Sequence, residues 1–387
     1  MAYDKDLSFI YKNYTRLVFG IGAVKDVGAE VDHLKCSRAF VVTDKGIVEA
    51  GLAEKVEKAL GNRHVGTFDG VPQDSGYHIV NEAAEIAREK GADCLVSVGG
   101  GSVIDTAKGM AIIVSEGGNL QDYQGFQMLT HPITPHVVIP TTAGTGSEVT
   151  YAFVIKDWEK NQKLLYGDDY LMPNTAILDP EMTASMPPRI TAMTGMDALT
   201  HAIEAIHALQ AEPISDTLAF GAIRLIMQYL PICVEKGDDL VARGQQQIAA
   251  TMAGIAFSNA QVGLVHAMAH CVGALYKVPH GLANSILLPH VMRFNMDECA
   301  DRYALVAEAM GVKEKGMGDE EAAEAAIAAV SEFTKKLGLP QKLSEAGVLE
   351  EGLGEASEMA LCDGSVVYNP KMVFEAEQVM EVYRAAF

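Results

Sequence analysis

The chain is 387 residues long, 49% hydrophobic and 21% charged, with 36 glycines and 14 prolines, which fits a folded enzyme of about two domains and excludes a disordered or fibrous chain. Its formal net charge of −21 repels phosphate backbones and anionic bilayers, so nucleic-acid binding and peripheral membrane attachment are excluded as main activities. The six cysteines are scattered without a CxxC pair, so neither a disulfide framework nor a thiolate zinc site is expected.

From the N-terminus, MAYDKDLSFIYKNYTRL has no basic start followed by a long apolar block. No uninterrupted apolar run approaches the ~20 residues of a spanning helix, and a cytoplasmic location is expected. The strand-like RAFVVTD (38–44) precedes the helical GLAEKVEKALG (51–61), and SGYHIVNEAAEIAREKGAD (75–93) leads into CLVSVGGGS (94–102). HVVIPTT (136–142) and TAILDP (175–180) continue the alternation, which predicts a doubly wound parallel sheet. Beyond SMPPRIT (185–191) come long Ala-, Ile- and Met-rich segments of helical period, among them SDTLAFGAIRLIMQYLP and GQQQIAATMAGIAFSNAQ. The expected fold is therefore an α/β nucleotide-binding domain over 1–186 and an all-helical domain over 187–387.

The strand CLVSVG ends in Gly99, Gly100, Gly101 and Ser102, directly before a helical pattern. Glycines there let a phosphate approach the backbone, and the amides at the helix start are donors for it. The turn does not match GxGxxG, so it reads either as a pyrophosphate cradle or as a tight βα turn. A second loop, PTTAGTGSEVT (140–150), offers Thr141, Thr142, Thr145 and Ser147 after a strand. Asp44 lies upstream of the glycines, not after them as in the usual dinucleotide unit. It either caps a helix or, if its strand neighbours the glycine-rich one, holds a ribose and repels a 2′-phosphate.

In GMDALTHAIEAIH (195–207) Asp197 and His201 stand four apart on one helical face, with Glu204 close to that face. His266 and His270 repeat the spacing in an apolar run, and His280 follows in a Pro-His-Gly turn. One carboxylate with imidazoles and no thiolate suits Fe2+, Zn2+, Mn2+ or Co2+ better than Ca2+ or Mg2+. The spacings alone leave open which histidine is not a ligand.

GGGSVIDTAK (99–108), IPTTAGTGSEVT (139–150), TGMDALTHAIE (194–204), GLVHAMAHCVGALYKVPHGLANSILLPHVMRFN (263–295) and Asn369-Pro370 together resemble the iron-containing (group III) alcohol dehydrogenases, in their lactaldehyde and propanediol oxidoreductase branch. The resemblance spans nearly the whole chain and implies the dehydroquinate synthase-like fold with a cleft between its domains. It implies Asp197, His201, His266 and His280 as metal ligands, with His270 as a proton relay. It also implies NAD(H) contacts at Gly99, Gly100, Gly101, Ser102, Thr141, Thr142 and Lys163, with Asp44 at the adenosine ribose; Asp74, Asp105, Thr145 and Ser147 are expected to join them. Asp74 replaces a usual Asn, Ala267 a usual Gly, Ser365 a frequent Cys and Lys371 a frequent Arg.

The implied activity is hydride transfer between NAD(H) and small primary alcohols, diols or the corresponding aldehydes. The alcohol oxygen is held as its alkoxide by a divalent metal, expected to be Fe2+, with Zn2+ or another ion as substitute. Asp197 and His266 count among the catalytic residues with His270, Phe257 lines the substrate pocket, and a homodimer is expected. The alternatives are a zinc polyol dehydrogenase of the glycerol dehydrogenase type and an NAD- and metal-dependent lyase of the dehydroquinate synthase type.

Overall fold

The computed structural model describes residues 7–160 and 162–387. Its first half carries β1 (Arg16–Phe19), α1 (Val27–His33), β2 (Ala39–Val42), α2 (Lys45–Glu49), α3 (Leu52–Leu60), β3 (His64–Phe68), α4 (Tyr77–Glu89), β4 (Cys94–Gly99) and α5 (Gly101–Glu116). There follow β5 (Gly125–Phe126), β6 (His136–Pro140), β7 (Ala152–Asp157), β8 (Gln162–Gly167) and β9 (Thr175–Leu178). Six strands form one sheet in the order β1-β9-β6-β4-β2-β3, every pairing parallel. A small sheet, β5-β8-β7, stands apart from it.

Both faces of the large sheet are covered, and the strand period distributes the side chains between them. Phe40, Val42 and Leu95 join the core under α4 and α5, while Ala39, Val41, Cys94, Val96 and Val98 join the core under α1 and α3. Every residue of β2 and β4 is buried, as expected of a parallel sheet sandwiched by helices.

Among the described residues no strand follows Leu178, and the rest is helical: α6 (Pro188–His207), α7 (Pro213–Glu235), α8 (Leu240–Ala260), α9 (Leu264–Tyr276), α10 (His280–Met310), α11 (Asp319–Lys336), α12 (Leu353–Leu361) and α13 (Ala376–Ala386). Of the paired prolines, Pro187 directly precedes α6 and Pro188 opens it, where its missing N–H costs nothing. The chain divides into two compact units. One comprises Tyr14–Ala198 and Leu225–Gly254, the other the residues up to Asn13 with Leu199–Arg224 and Ile255–Phe387.

By length and composition, α7 is the one single helix among the described residues apolar enough to cross a membrane. It nevertheless carries Asp216 and Arg224, and its buried Ala219, Ala222, Ile223, Ile226, Leu230 and Cys233 recur at helical spacing. That stripe is the pattern of a helix facing a protein core.

Candidate active site

Parallel pairing answers the question raised by Asp44. β2 lies beside β4, with Val42 opposite Ser97, and β4 lies beside β6, with Gly99 opposite Pro140. The chain leaves these neighbouring strands at the same sheet edge, so Asp44, the glycine turn and the threonine loop all emerge there. Asp44 Oδ1 accepts the Ile47 amide at 2.9 Å and caps α2. Helix capping is thus realised, and the strand adjacency required for a ribose contact is present as well.

The glycine turn is built for close approach. A Cβ on Gly99 would stand 2.5 Å from the side chain of Val103, one on Gly100 3.1 Å from Thr142, and one on Gly101 3.0 Å from Thr145. Absence of side chains therefore lets the threonine loop seat directly on the turn. Gly100, at the N-cap of α5, offers no side chain to the first amides of that helix, which remain donors for an anion. Thr141 is buried, its amide bonded to Gly99 O. Ser102 Oγ accepts the Asp74 amide at 3.3 Å, and Trp158 Nε1 donates to Asp74 O at 3.2 Å, which pins the exposed Asp74 beside the turn.

Asp105 lies one turn into α5, where Oδ2 accepts the Val154 amide at 3.2 Å. Burial pushes its carboxyl up to about 6, against the opposing charges of Lys108 and Lys163 and a bond from Ser147. Lys163 sits on β8, so it reaches this group by charge. Lys108 is fully buried and donates to Thr150 O, Thr150 Oγ1 and Ala152 O, while burial pushes its ammonium down to about 8. Sequence reasoning assigned it no role, although a lysine on the apolar face of α5 was the available signal.

The acid and histidine set gathers on α6, α9 and α10. Asp197 and His201 lie one turn apart on α6, and a ligand atom of each, with one of His266, falls within 4.8 Å of the others. All three residues are buried. The His201 ring stacks on His266 at 4.5 Å and on the half-buried Phe257 at 4.2 Å. Buried oxygen and neutral nitrogen donors so close together fit a borderline divalent cation.

His280 is brought back by the turn between helices. Lys277 ends α9 in the left-handed region, Pro279 is the N-cap of α10, and His280 is its first residue. Its ring centroid lies 5.2 Å from that of His266 and 5.3 Å from that of His270. Asn284, one turn along α10, places Nδ2 3.2 Å from His280 Nε2 and 3.3 Å from His266 Nε2. His270 Nδ1 is bonded to Asp363 Oδ2 at 2.8 Å, and the metal-candidate trio includes neither His270 nor His280.

Sequence reasoning missed Asp363 and Asn284, and left Glu204 and Asn369 without a role, although Asn369-Pro370 stands among the family motifs. Glu204 is fully buried, with Oε1 2.9 Å from the Val265 amide and Oε2 bonded to His266 Nδ1. Burial raises its carboxyl, but the combined pull of His266, His207 and the Val265 amide outweighs it and leaves the group below its ordinary value. Asn369 Oδ1 accepts the Leu264 amide, at the start of the same helix α9. The only signal for Glu204 was its i+3 position after His201; nothing local marks Asp363 or Asn284.

Two family models match the chain, one described as iron-containing alcohol dehydrogenase over residues 14–180 and one as the C-terminal part of the Fe-containing alcohol dehydrogenase family over residues 191–387. The NAD-dependent methanol dehydrogenase of Bacillus methanolicus is 40% identical over 357 residues, covering 92% of this chain and 94% of that one. The lactaldehyde reductase of Escherichia coli K12 is 38% identical over 373 residues, covering 95% and 97%. A crystal structure of a 1,3-propanediol oxidoreductase superposes with a TM-score of 0.95 at 39% identity, covering 98% of this chain and 100% of that one.

Proposed function

This chain belongs to the iron-containing alcohol dehydrogenase family, and on that premise we propose that it interconverts small primary alcohols or diols with their aldehydes, using NAD(H) and a divalent metal, Fe2+ first among candidates. The observation that carries the reading is the buried trio Asp197, His201 and His266, whose ligand atoms lie within 4.8 Å of one another. His280, adjoining His266, completes the proposed ligand set. When bound there, the metal supplies Lewis-acid polarisation of the substrate oxygen. NAD supplies the hydride acceptor.

The protein's own groups do the rest. The α5 amides and the threonine loop, with Thr142, Thr145, Ser147 and Lys163, would hold the cofactor's pyrophosphate. Asp44 and Asp74, both beside the glycine turn, would repel a 2′-phosphate and so favour NAD over NADP. Phe257, stacked on His201, orients that ring and gives the substrate an apolar wall. His270 exchanges a proton at Nε2 while Asp363 holds its Nδ1.

The working functional division at residues 186/187 is supported by the two family-model spans, 14–180 and 191–387. A homodimer is part of the reading, supported by the edge position of β1 and the exposure of Leu17, Phe19 and Ile21 on and beside it. The cytoplasmic placement is supported by six free cysteines, five of them buried.

The test is an aldehyde and alcohol panel with protein loaded separately with Fe2+ and Zn2+, followed at the nicotinamide absorbance. NADH consumption with a short aldehyde is the expected result. Substrate turnover without net change in NADH would move the protein to the lyase class.

A further inference from the structure

Glu204 links the two helices that carry His201 and His266, and its two oxygens take different bonds. Oε1 accepts the Val265 amide at 2.9 Å and Oε2 accepts from His266 Nδ1. Gly263 has no side chain to cap α9, so the first amides of that helix find acceptors on remote residues: Asn369 for Leu264 and Glu204 for Val265. The backbone next to His266 and its ring are thereby held by one carboxylate.

The opposite ring nitrogen completes the argument. His266 Nε2 lies 3.3 Å from Asn284 Nδ2, and an amide NH2 group only donates. That contact matches a lone pair on Nε2 and a proton on Nδ1, the tautomer that an ionised carboxylate at Nδ1 selects. We infer that Glu204 is the positioning residue that locks His266 as the Nδ1–H tautomer and turns its Nε2 lone pair toward Asp197 and His201. The inference rests on the proposed metal reading for its purpose, but the tautomer itself does not.

Glutamine separates this role from simple packing. It matches glutamate in shape but has one acceptor oxygen. If that oxygen keeps the Val265 amide, its NH2 group faces His266 Nδ1 and drives the ring proton to Nε2, where it blocks the lone pair. A residue that merely filled space would leave the tautomer unchanged.

The experiment uses the full chain, labelled with 15N-histidine and stripped of metal by chelation. Long-range 1H–15N spectra report which ring nitrogen of His266 is protonated, with His266→Ala giving the assignment. The wild type is expected to show Nδ1–H, and Glu204→Gln to show Nε2–H or a mixture. Zn2+ affinity by chelator competition is expected to fall ~10–100-fold in Glu204→Gln, with the far-ultraviolet dichroism unchanged. Nε2–H in the wild type overturns the inference even if the variant fails to fold, as does a Gln variant that keeps Nδ1–H and binds Zn2+ within about twofold of wild type. A wild type with Nδ1–H that binds no divalent metal instead overturns the proposed function and leaves the tautomer assignment standing.

Discussion

His270 and Asp363 stand 93 residues apart in the chain, yet Nδ1 of the ring lies 2.8 Å from Oδ2 of the carboxylate. Asp363 Oδ1 accepts the Ser365 amide at 2.8 Å, so each of its oxygens has a partner. Burial raises the Asp363 carboxyl, but the bonds and charge of His270 and the Ser365 contacts outweigh it and hold the group well below the usual carboxylate range. The carboxylate stays ionised and holds the ring by Nδ1; in the proposed function the proton is exchanged at Nε2.

Asp363→Asn keeps the shape of that carboxylate and removes its charge. Turnover number is expected to fall ~10–100-fold, with the aldehyde KM within about twofold of wild type and the metal content unchanged by atomic emission. An equal loss of metal and turnover would show that Asp363 supports the ligand set instead.

His266 and His270 lie on the same helix one turn apart, but only His266 belongs to the buried trio. His266→Ala should therefore abolish both metal retention and activity. His270→Ala should keep the metal and lose mainly turnover. Atomic emission on the two purified variants separates these roles, and equal metal loss in both would remove the division between them.

Asp44 combines a cap on α2 with a position beside the glycine turn. Asp44→Ser retains a capping oxygen and deletes the charge. The ratio of kcat/KM for NAD to that for NADP is expected to drop at least ~10-fold, roughly the 1.4 kcal/mol of one decade. Steady-state kinetics decide it, and a wild type that uses NADPH as well as NADH would sink the role of Asp44.

His136 is buried in β6 with Nε2 2.8 Å from Ser97 Oγ. Burial first, and the charge of Lys108 second, push its imidazole down to about 3. Between the ordinary histidine value near 6.5 and that value, the unfolded chain takes up a proton that the folded chain refuses. Stability is therefore lost as pH falls through this window, by roughly 2 kcal/mol at pH 5 relative to pH 7. His136→Asn should flatten that slope in urea midpoints measured from pH 7 to pH 5. His207, pushed down to about 4 chiefly by burial, acts in the same direction and keeps part of the slope in that variant.

Much of the architecture was legible where it depended on short-range periodicity. RAFVVTD contains β2, CLVSVG coincides with β4, and the two long helical patterns contain or overlap α7 and α8. Four-residue spacing on a helix brought Asp197 next to His201, because 3.6 residues per turn returns the chain to the same face. The Pro-His-Gly stretch pointed to a turn, and the structure has one at Lys277–Pro279, with His280 and Gly281 already in the first turn of α10. By contrast β1, β3 and the small sheet β5-β8-β7 passed unread. β1 and β3 are edge strands, and every residue of both is at least partly exposed, so their hydrophobic pattern is weak.

What the sequence determined by itself was the repertoire: a parallel α/β half, a helical half, a glycine turn before a helix, and donors of the right chemistry for a divalent metal. Each of these follows from residue type and local spacing. Only the tertiary structure decided that β2 pairs with β4, which carries Asp44 to the glycine turn, and that Glu204 and Asp363 each hold one histidine by Nδ1. Those relationships join residues tens of positions apart, and no local preference encodes them. They arise because burying the strands and helices against one another leaves a single arrangement in which these polar groups, cut off from water, find partners.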